Sequence, residues 1–383
     1  MPDPVPAQPA GPQPAAAPPA PQRDVPQPAV LHLVTDPRRR GAQNLARDLH
    51  AELLRRGQRS DLRALQPHPD APADAGAPVL GPARFHPRTL RALRAAARRA
   101  DVVVAHGSST LPACALALLG TRTPFVYVNI GDPRHWTASA SRRLRVGAFL
   151  HRAAAVAAIS DGARQVLVDR FRLPAQRVRT IPNARPADRF PPAADDADRQ
   201  AARAALGLPA DGPLLAWVGA VAPEKRLDLA LDALALLPAA HLAVAGDGPL
   251  RAALAARDTT GRVTFLGDLA DPAPLYRAAD ALLLTSDSEG VPGVLVEAAL
   301  AALPAVATDV GWVGEVVQDG VTGTLVPPGD AAALAAAVDR LLADTRHDLG
   351  AAARRHALAR FDLAVVADAW QQLLARAARA PRG

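Results

Sequence analysis

The sequence predicts an α/β protein of two similar domains in tandem, each built on a parallel sheet with helices on both faces. Two observations predict this class. From Ala29 onward, short runs of β-branched residues or leucine alternate with helical patterns of alanine, arginine and leucine, which is typical of βαβ units. The alternation lapses once and then resumes, and 383 residues suffice for two domains that each bury a core.

The predicted strands are almost continuously apolar, as expected where both faces of a strand are covered. In the first half, we expect strands at Val30–Thr35, Val102–Ala105 and Phe125–Ile130, and helices at Ala42–Arg56 and Pro87–Ala100. In the second half, we expect strands at Leu214–Gly219, Leu242–Ala245, Val263–Leu266, Ala281–Thr285 and Ala305–Thr308, and a last helix at Leu363–Arg379.

The chain divides into four parts. Residues 1–28 contain little but proline and alanine, and such a composition buries too little surface to fold, so we expect a disordered tail. The Pro/Ala/Asp-rich residues 182–209 predict a linker between the domains. We therefore expect a first domain at 29–190, a second at 191–360, and a helix within 361–383 that crosses back to the first domain.

Scarce residue types exclude several classes of protein. The single cysteine, Cys114, excludes an intramolecular disulfide and a thiolate zinc site, and it favours a reducing compartment such as the cytoplasm. No apolar run reaches the roughly 18 residues of a membrane span, and we expect no signal peptide, since no basic segment precedes an apolar one. The aromatic fraction of 3% argues against nucleic-acid binding.

Charge is divided unevenly between the two halves. Residues 29–190 hold 27 arginines and 11 acidic residues, whereas residues 191–383 hold 16 basic and 24 acidic residues. A basic first half favours an anionic partner, such as a phosphate-bearing acceptor or a membrane surface. Solvated arginine-rich helix faces and attraction between the two domains would explain the same distribution, so both interpretations stay open.

One segment, Ser286–Glu297, carries the clearest chemical signal. It follows a predicted strand and opens a helix near Gly293, and Pro292 suits a first helical position. A glycine-bearing loop at a helix N-terminus offers free amides and the positive end of the helix dipole, which suit a phosphate. Two carboxylates, Glu289 and Glu297, oppose an anion there, so we expect them to accept hydrogen bonds from hydroxyl groups. Phosphate together with hydroxyl groups indicates a sugar nucleotide.

Two residue types are rare enough to be informative. Lys225 is the only lysine among the 44 basic residues, and only five of the 37 acidic residues are glutamate. Since this chain uses arginine or aspartate where a solvated charge suffices, a lysine or a glutamate points to a site that needs that side chain.

The segment from Glu289 to Glu297 and the residues that follow it resemble the donor-site signature of the retaining glycosyltransferases of family 4, which have the GT-B fold. The resemblance rests on the spacing of Glu289 and Glu297, on residues 298–309 that follow, and on residues 311–315 and 319–330. Residues 218–226 resemble the family's phosphate-binding loop, and residues 245–249 resemble its next strand end. Ile159-Ser160 and Ile181-Pro182-Asn183 resemble the end of its acceptor domain, so the likeness covers residues 30–375.

The resemblance implies two Rossmann-like domains facing a central cleft, with the nucleotide-sugar donor on the second domain and the acceptor on the first. It implies that Lys225 neutralises the donor diphosphate, that Glu289 holds a hydroxyl of the transferred sugar, and that Glu297 accepts hydrogen bonds from the ribose. The other implied donor contacts are Gly219, Arg226, Gly290, Val291, Pro292, Gly293 and Val294, with Leu266, Gly267 and Leu269 beside the base.

Two positions depart from the family pattern. Ala220 stands where an arginine usually follows the glycine of the phosphate loop, so Arg226 or an arginine of the first domain would have to assist Lys225. Asn129 stands where the family often has a histidine. The acceptor-side candidates are Gly41, which follows Arg38-Arg39-Arg40, and His106, Asn129 and Asp132; His135 is a further histidine near them.

We expect no cofactor, because the nucleotide sugar is a substrate, and we expect no metal ion. Asp196 and Asp198 form an Asp-x-Asp pair, but they lie in the predicted linker, where solvated charge explains them better. No cluster of histidine and acidic residues has the spacing of metal ligands.

The sequence thus predicts a retaining, metal-independent hexosyltransferase that moves a sugar from a nucleotide donor to an acceptor hydroxyl, in glycan, glycolipid or cell-envelope polysaccharide synthesis. Its expected partners are the donor, a glycan, lipid-linked or small-molecule acceptor, and an anionic membrane surface at the inner face of the cell membrane. Two alternatives stay open. One is a degenerate transferase that binds a nucleotide or glycan without turnover, and the other is an epimerase or hydrolase of sugar nucleotides.

Overall fold

The computed structural model describes residues 27–379, except residues 39, 70, 72–75, 138 and 259–260, and without the side chains of residues 135, 136 and 344–347. The predicted tail at 1–28 therefore lies almost wholly outside the described residues, as do Arg39 and the side chain of His135. The described residues form two parallel six-stranded sheets with helices on both faces. The predicted fold class is confirmed.

The first sheet has the strand order β2-β1-β3-β4-β5-β6. Its strands are β1 (Val30–Val34), β2 (Ser60–Ala64), β3 (Val102–His106), β4 (Phe125–Asn129), β5 (Ala155–Ala158) and β6 (Val178–Thr180). Its helices are α1 (Gly41–Arg55), α2 (Pro87–Ala97), α3 (Leu111–Ala117), α4 (Pro133–Trp136), α5 (Ala140–His151) and α6 (Asp161–Phe171). The apolar runs that predicted β1, β3 and β4 are buried throughout, since helices cover both faces, and so is β5, which the sequence analysis did not predict.

The second sheet has the order β12-β11-β10-β7-β8-β9, so successive strands are added in one direction from β7 to β9 and in the other from β10 to β12. Its strands are β7 (Leu214–Val218), β8 (His241–Ala245), β9 (Val263–Gly267), β10 (Ala281–Leu284), β11 (Ala305–Thr308) and β12 (Gly323–Val326). The helices of this half are α7 (Asp196–Ala205), α8 (Leu227–Ala235), α9 (Arg251–Ala255), α10 (Ala273–Ala278), α11 (Gly293–Leu300), α12 (Ala331–Arg340), α13 (Arg346–Arg360) and α14 (Leu363–Arg379).

The prediction of a linker at residues 182–209 is wrong in part, because Asp196–Ala205 form α7, a helix packed against the second half. Asp195 caps it by accepting a hydrogen bond from the amide of Asp198 at 2.8 Å, and Ala202 is buried in the core. Arg203 on the same helix pairs with buried Asp280 at 2.9 Å. A stretch rich in alanine and aspartate resembles a linker in composition but is also a good capped helix. Asp196 lies in its exposed first turn.

Helix α14 packs against the first sheet although it follows the second half in sequence. Trp370 and Leu374 are buried against α1 and against the apolar face of β3 and β4. The chain therefore passes between the halves twice, near Arg185 on the way out and near Asp362 on the way back. Among the described residues, no helix is long and apolar enough to cross a membrane.

Candidate functional site

The predicted donor residues meet at the carboxyl ends of β7 and β10, where the order of strands in the second sheet reverses. The loop after β10 carries Glu289 and leads into α11, and the loop after β7 carries Lys225. Because β7 and β10 are neighbours in the sheet, their loops flank the crevice in which open α/β sheets bind ligands.

An ion pair joins these two loops. The Nζ atom of Lys225 lies 2.6 Å from Oε1 of Glu289, and the hydroxyl of Ser286 donates a hydrogen bond to the same oxygen at 2.6 Å. Glu289 is largely buried, whereas the lysine side chain is 28% exposed. The only lysine of the chain is thus held at the mouth of the crevice by Glu289, and its side chain is partly exposed.

Close approach of neighbouring loops explains two glycines of the predicted motifs. Gly246 has φ 135°, and a Cβ there would lie 1.8 Å from the carbonyl oxygen of Gly219. Gly311 has φ 58°, and a Cβ there would lie 1.9 Å from the carbonyl oxygen of Glu289. Only glycine fits both the backbone conformation and the space, so these residues set the position of Gly219 and Glu289.

The N-terminus of α11 is free of a side-chain cap. The helix begins at Gly293, and Pro292 is the preceding N-cap residue rather than the first helical residue that we expected. The first turn of a helix has amides without helical partners, which together with the dipole favour an anion. Gly290 approaches the first half, since a Cβ there would lie 2.4 Å from the carbonyl oxygen of Ile130.

The loop between β10 and α11 also contacts the crossing segment, residues 181–186, through which the chain passes from the first half to the second. The side-chain amide of Asn183 donates a hydrogen bond to the carbonyl oxygen of Val291 at 2.9 Å. Val291 is buried, and Val294 packs against the same core from the first turn of α11. The conformation of the loop therefore depends on the crossing segment.

Glu297, one turn into α11, is buried and engaged at both oxygens. Its Oε1 accepts a hydrogen bond from Nε of Arg185 at 2.8 Å, and its Oε2 accepts one from the hydroxyl of Tyr276 at 2.9 Å. Burial, together with the charge of Glu297, raises the pKa of Tyr276 well above its usual value. A carboxylate accepts about four hydrogen bonds, so Glu297 retains capacity for a ligand hydroxyl.

The remaining predicted donor residues border this crevice. Arg226 has a left-handed backbone at φ 49°, and its guanidinium bonds Asp228 at 3.0 Å and Asp287 at 3.1 Å. Leu266 and Leu269 are partly buried against the core at the end of β9, and Gly267 closes that strand with φ 69°.

Asn129 is the last residue of β4 and Asp132 lies three residues beyond it, at the carboxyl ends of the strands of the first sheet. The side-chain amide of Asn129 donates to the carbonyl oxygen of Gly131 at 2.7 Å, while its buried Oδ1 has no hydrogen-bond partner within the part of the chain that the structure describes. Asp132 caps α4 and pairs with Arg134 at 2.6 Å. Asn129 thus has an unused acceptor atom, whereas the carboxylate of Asp132 is already engaged.

The other two acceptor-side candidates differ in exposure. Gly41 is exposed and begins α1 beyond the end of β1. His106, which we expected on the acceptor side, is instead buried: it is 1% exposed, and its Nε2 lies 3.0 Å from Nδ1 of His32 in the core. Burial lowers the pKa of His106 to about 3, so this residue is a neutral core histidine rather than a surface for an acceptor.

Sequence reasoning missed Arg185 and its contact with Glu297. An arginine within an arginine-rich half carries no local signal, and its partner lies 112 positions away. Among the described residues, no group of three or more histidine, cysteine or acidic side chains is placed to hold a metal ion.

Comparison with known proteins assigns both halves to glycosyltransferase families. Residues 39–189 match the family described as Glycosyltransferase Family 4, and residues 212–344 match the family described as Glycosyl transferases group 1. D-inositol 3-phosphate glycosyltransferase of Mycobacterium tuberculosis is 43% identical over 157 residues, which are 38% of this chain and 32% of that protein. The chain thus spans about a third of the length of the curated relatives it matches.

Solved structures share the whole architecture. Anabaena HepE, in complex with UDP and glucose, superposes with a TM-score of 0.79 at 23% identity, over 91% of this chain and 99% of that one. Sucrose-phosphate synthase from Thermosynechococcus elongatus gives a TM-score of 0.77 at 23% identity, over 91% and 98%. At these identities the likeness shows the fold, which is the two-domain GT-B arrangement.

Proposed function

We propose that this chain, which belongs to the group 1 and family 4 glycosyltransferases, transfers a sugar from a nucleotide-sugar donor to an acceptor hydroxyl. The observation that carries the proposal is the ion pair between Lys225 and Glu289 at the uncapped N-terminus of α11. A fixed cation, free amides and a carboxylate together match a phosphate group that is joined to a hydroxyl-bearing ring.

Cleavage of the anomeric bond leaves negative charge on the departing diphosphate. Lys225 and the amides of residues 290–294 stand ready to stabilise that charge without reorganising during the reaction. We propose that this charge neutralisation takes the place of a divalent cation, and that the reaction retains anomeric configuration, as the family resemblance implies. Glu289 would hold a hydroxyl of the transferred sugar, and Glu297 the ribose hydroxyls.

The acceptor side belongs to the first half of the chain in this proposal. Asn129 supports it, because none of the described residues pairs with its buried Oδ1 and the adjacent Ile130 lies against the donor loop at Gly290. An unsatisfied buried acceptor is costly in free energy unless a ligand or water pairs with it. A hydroxyl donor from the bound sugar or the acceptor would meet that need.

We propose that the acceptor lies at an anionic membrane, at the inner, cytoplasmic face of the cell membrane. The exposed part of α5 supports this location. All residues from 139 to 145 are exposed, including Arg142, Arg143 and Arg145, and Leu144 is 78% exposed. Between residues 81 and 152 the chain has twelve arginines and two acidic residues. Arginines around an apolar side chain fit the headgroups and the acyl boundary of an anionic bilayer.

Sugar transfer is tested directly with purified protein. UDP, GDP and ADP and their common sugars are screened by calorimetry and thermal shift, and the donor that binds is then incubated with lipid-linked and small-molecule acceptors. A ligand at 100 times its dissociation constant stabilises the fold by about 2.7 kcal/mol. Product formation by the wild type, and its loss in Lys225→Ala, would support the proposal.

Two other outcomes would replace this proposal. Free sugar or an epimer formed without acceptor would indicate a hydrolase or an epimerase. Nucleotide binding without any turnover would indicate a degenerate binding protein, the alternative that Ala220 and Asn129 leave open.

Membrane binding is tested by co-sedimentation with phosphatidylcholine vesicles with and without phosphatidylglycerol. We expect binding only to the anionic vesicles and its loss at high salt. Replacing the three arginines of α5 with serine should abolish binding, whereas the same change at Arg257, Arg340 and Arg355 of the second half should not. Binding that is insensitive to salt, or equal for both triple variants, would contradict the proposed surface.

A further inference from the structure

Arg185 lies where the two crossings between the halves meet. Its amide donates a hydrogen bond to the carbonyl oxygen of Phe361 at 3.0 Å, and its carbonyl oxygen accepts one from the amide of Leu363 at 2.9 Å. The outgoing and returning segments are thus paired at this residue, and its backbone is fixed relative to both halves.

The side chain of Arg185 reaches α11. It is 2% exposed, and its Nε donates to Glu297 at 2.8 Å. Its Nη1 donates to Oδ1 of Asn183 at 3.0 Å and to the carbonyl oxygen of Ala184 at 2.9 Å. Its Nη2 has no hydrogen-bond partner among the residues that the structure describes, so one end of the guanidinium keeps its donors free.

That free end lies against the first residue of α11. A Cβ on Gly293 would lie 2.1 Å from Nη2, so glycine leaves the space that the guanidinium fills. The N-terminus of a helix carries partial positive charge, and a second positive group beside it is unfavourable unless an anion lies near both. Both carboxylates that the structure places near this guanidinium approach its Nε rather than its Nη2: Glu297 at 2.8 Å and Asp48 at 3.9 Å.

Arg226, the other arginine near the site, is engaged elsewhere. All three nitrogens of Arg226 bond to Asp228 or Asp287. Ala220 contributes no charge, and Lys225, which we propose contacts the diphosphate, also neutralises Glu289. The sequence left two candidates for the arginine that assists Lys225, namely Arg226 and an arginine of the first domain. The contacts of Arg226 favour the second candidate.

We infer that Arg185 is the second cation of the donor site, whose Nη2 donates a charge-assisted hydrogen bond to a phosphate oxygen of the bound nucleoside diphosphate. The inference rests on the proposed function. A guanidinium suits this role because its planar donors bind a carboxylate and a phosphate oxygen at the same time. The cation comes from the crossing segment, so the donor site is complete only when both halves are in place.

The test compares ligands with and without phosphate on Arg185→Gln and Arg185→Lys. Calorimetry is run with whichever of UDP, GDP and ADP binds the wild type most tightly, and with its nucleoside. We expect Arg185→Gln to weaken diphosphate binding about 10-fold or more and nucleoside binding by less than about 3-fold. Equal losses for both ligands would show that Arg185 acts only through Glu297, and would overturn the inference, as would unchanged diphosphate binding.

Two controls separate binding from folding. Arg203→Gln removes an equally buried arginine, paired with Asp280 just before the amino-terminal end of β10, and should leave nucleotide affinity unchanged. Because Arg185→Gln strands a buried carboxylate, the double variant Arg185→Gln/Glu297→Gln is compared with Glu297→Gln alone. The same selective loss of diphosphate affinity is expected between these two.

The outcomes also separate this inference from the proposed function. A wild type that transfers sugar while Arg185→Gln binds the diphosphate normally overturns the role of Arg185 alone. A folded wild type that binds no nucleoside diphosphate and transfers no sugar overturns the proposed function, and the role of Arg185 with it.

Discussion

Replacing Lys225 should reduce donor affinity strongly and fold stability weakly. Its ion pair with Glu289 is short, at 2.6 Å, but the lysine is 28% exposed, and such pairs contribute about 0–1 kcal/mol to stability. A charge-assisted hydrogen bond to a ligand contributes about 1.5–3 kcal/mol, which is about 10- to 150-fold in the dissociation constant. We therefore expect Lys225→Ala to weaken nucleoside diphosphate binding by about that factor while lowering the melting temperature by at most about 2–4 °C.

The assay pairs isothermal titration with scanning calorimetry on the same preparations. Lys225→Arg keeps the charge and should lose less affinity than Lys225→Ala. Arg257→Ala is the matched control, because it removes a partly exposed ion pair to Asp232 at 2.5 Å within the same half of the chain. Diphosphate affinity within two-fold of wild type in Lys225→Ala, or an equal loss in Arg257→Ala, would refute this account.

Three further predictions concern stability. Trp370→Ala should cost about 3–5 kcal/mol in urea unfolding because it empties buried space beneath α14, whereas exposed Val365→Ala should change little; similar shifts would contradict the packing described. Tyr276→Phe should cost about 1–2 kcal/mol, since Glu297 loses a buried donor, and an unchanged melting temperature would argue against that bond. The pKa of His106 is about 3, so the unfolded chain takes up a proton below about pH 6.5 that the folded chain does not. Stability should fall as pH drops from about 6.5 toward 3, by up to about 1.4 kcal/mol per pH unit from this residue, and His106→Gln should reduce that slope.

Strands and the donor loop could be predicted because their signals are local. A run of apolar residues marks a strand covered on both faces, so the ends of β7 and β10 are correct to within one residue. Glycines such as Gly246 mark places where backbones approach each other. The proximity of Lys225 and Glu289 follows from the rule that ligands bind at the carboxyl ends of strands near a reversal in strand order.

The errors arise where local composition and tertiary environment disagree. The segment containing α7 has the composition of a linker. It is a helix that packs against α10, and that packing cannot be read from composition. His106 stands at the end of a strand, as a ligand contact would, but it bonds to His32 within the sheet. The pairing of Arg185 with Glu297 depends on the path of the crossing segment, which no pattern of neighbouring residues encodes.

The single lysine gives the protein a unique chemical handle at its donor crevice. Reductive methylation with ¹³C-formaldehyde would place a labelled dimethylamine on Lys225 and on no other side chain. The reaction modifies primary amines, and the other 43 lysine or arginine side chains of the sequence are all arginine. The methyl group would report the electrostatic surroundings of that nitrogen in an NMR spectrum, including the exchange of Glu289 for a phosphate oxygen. Donor occupancy could then be followed at one atom, in the unmutated chain, while acceptors are added.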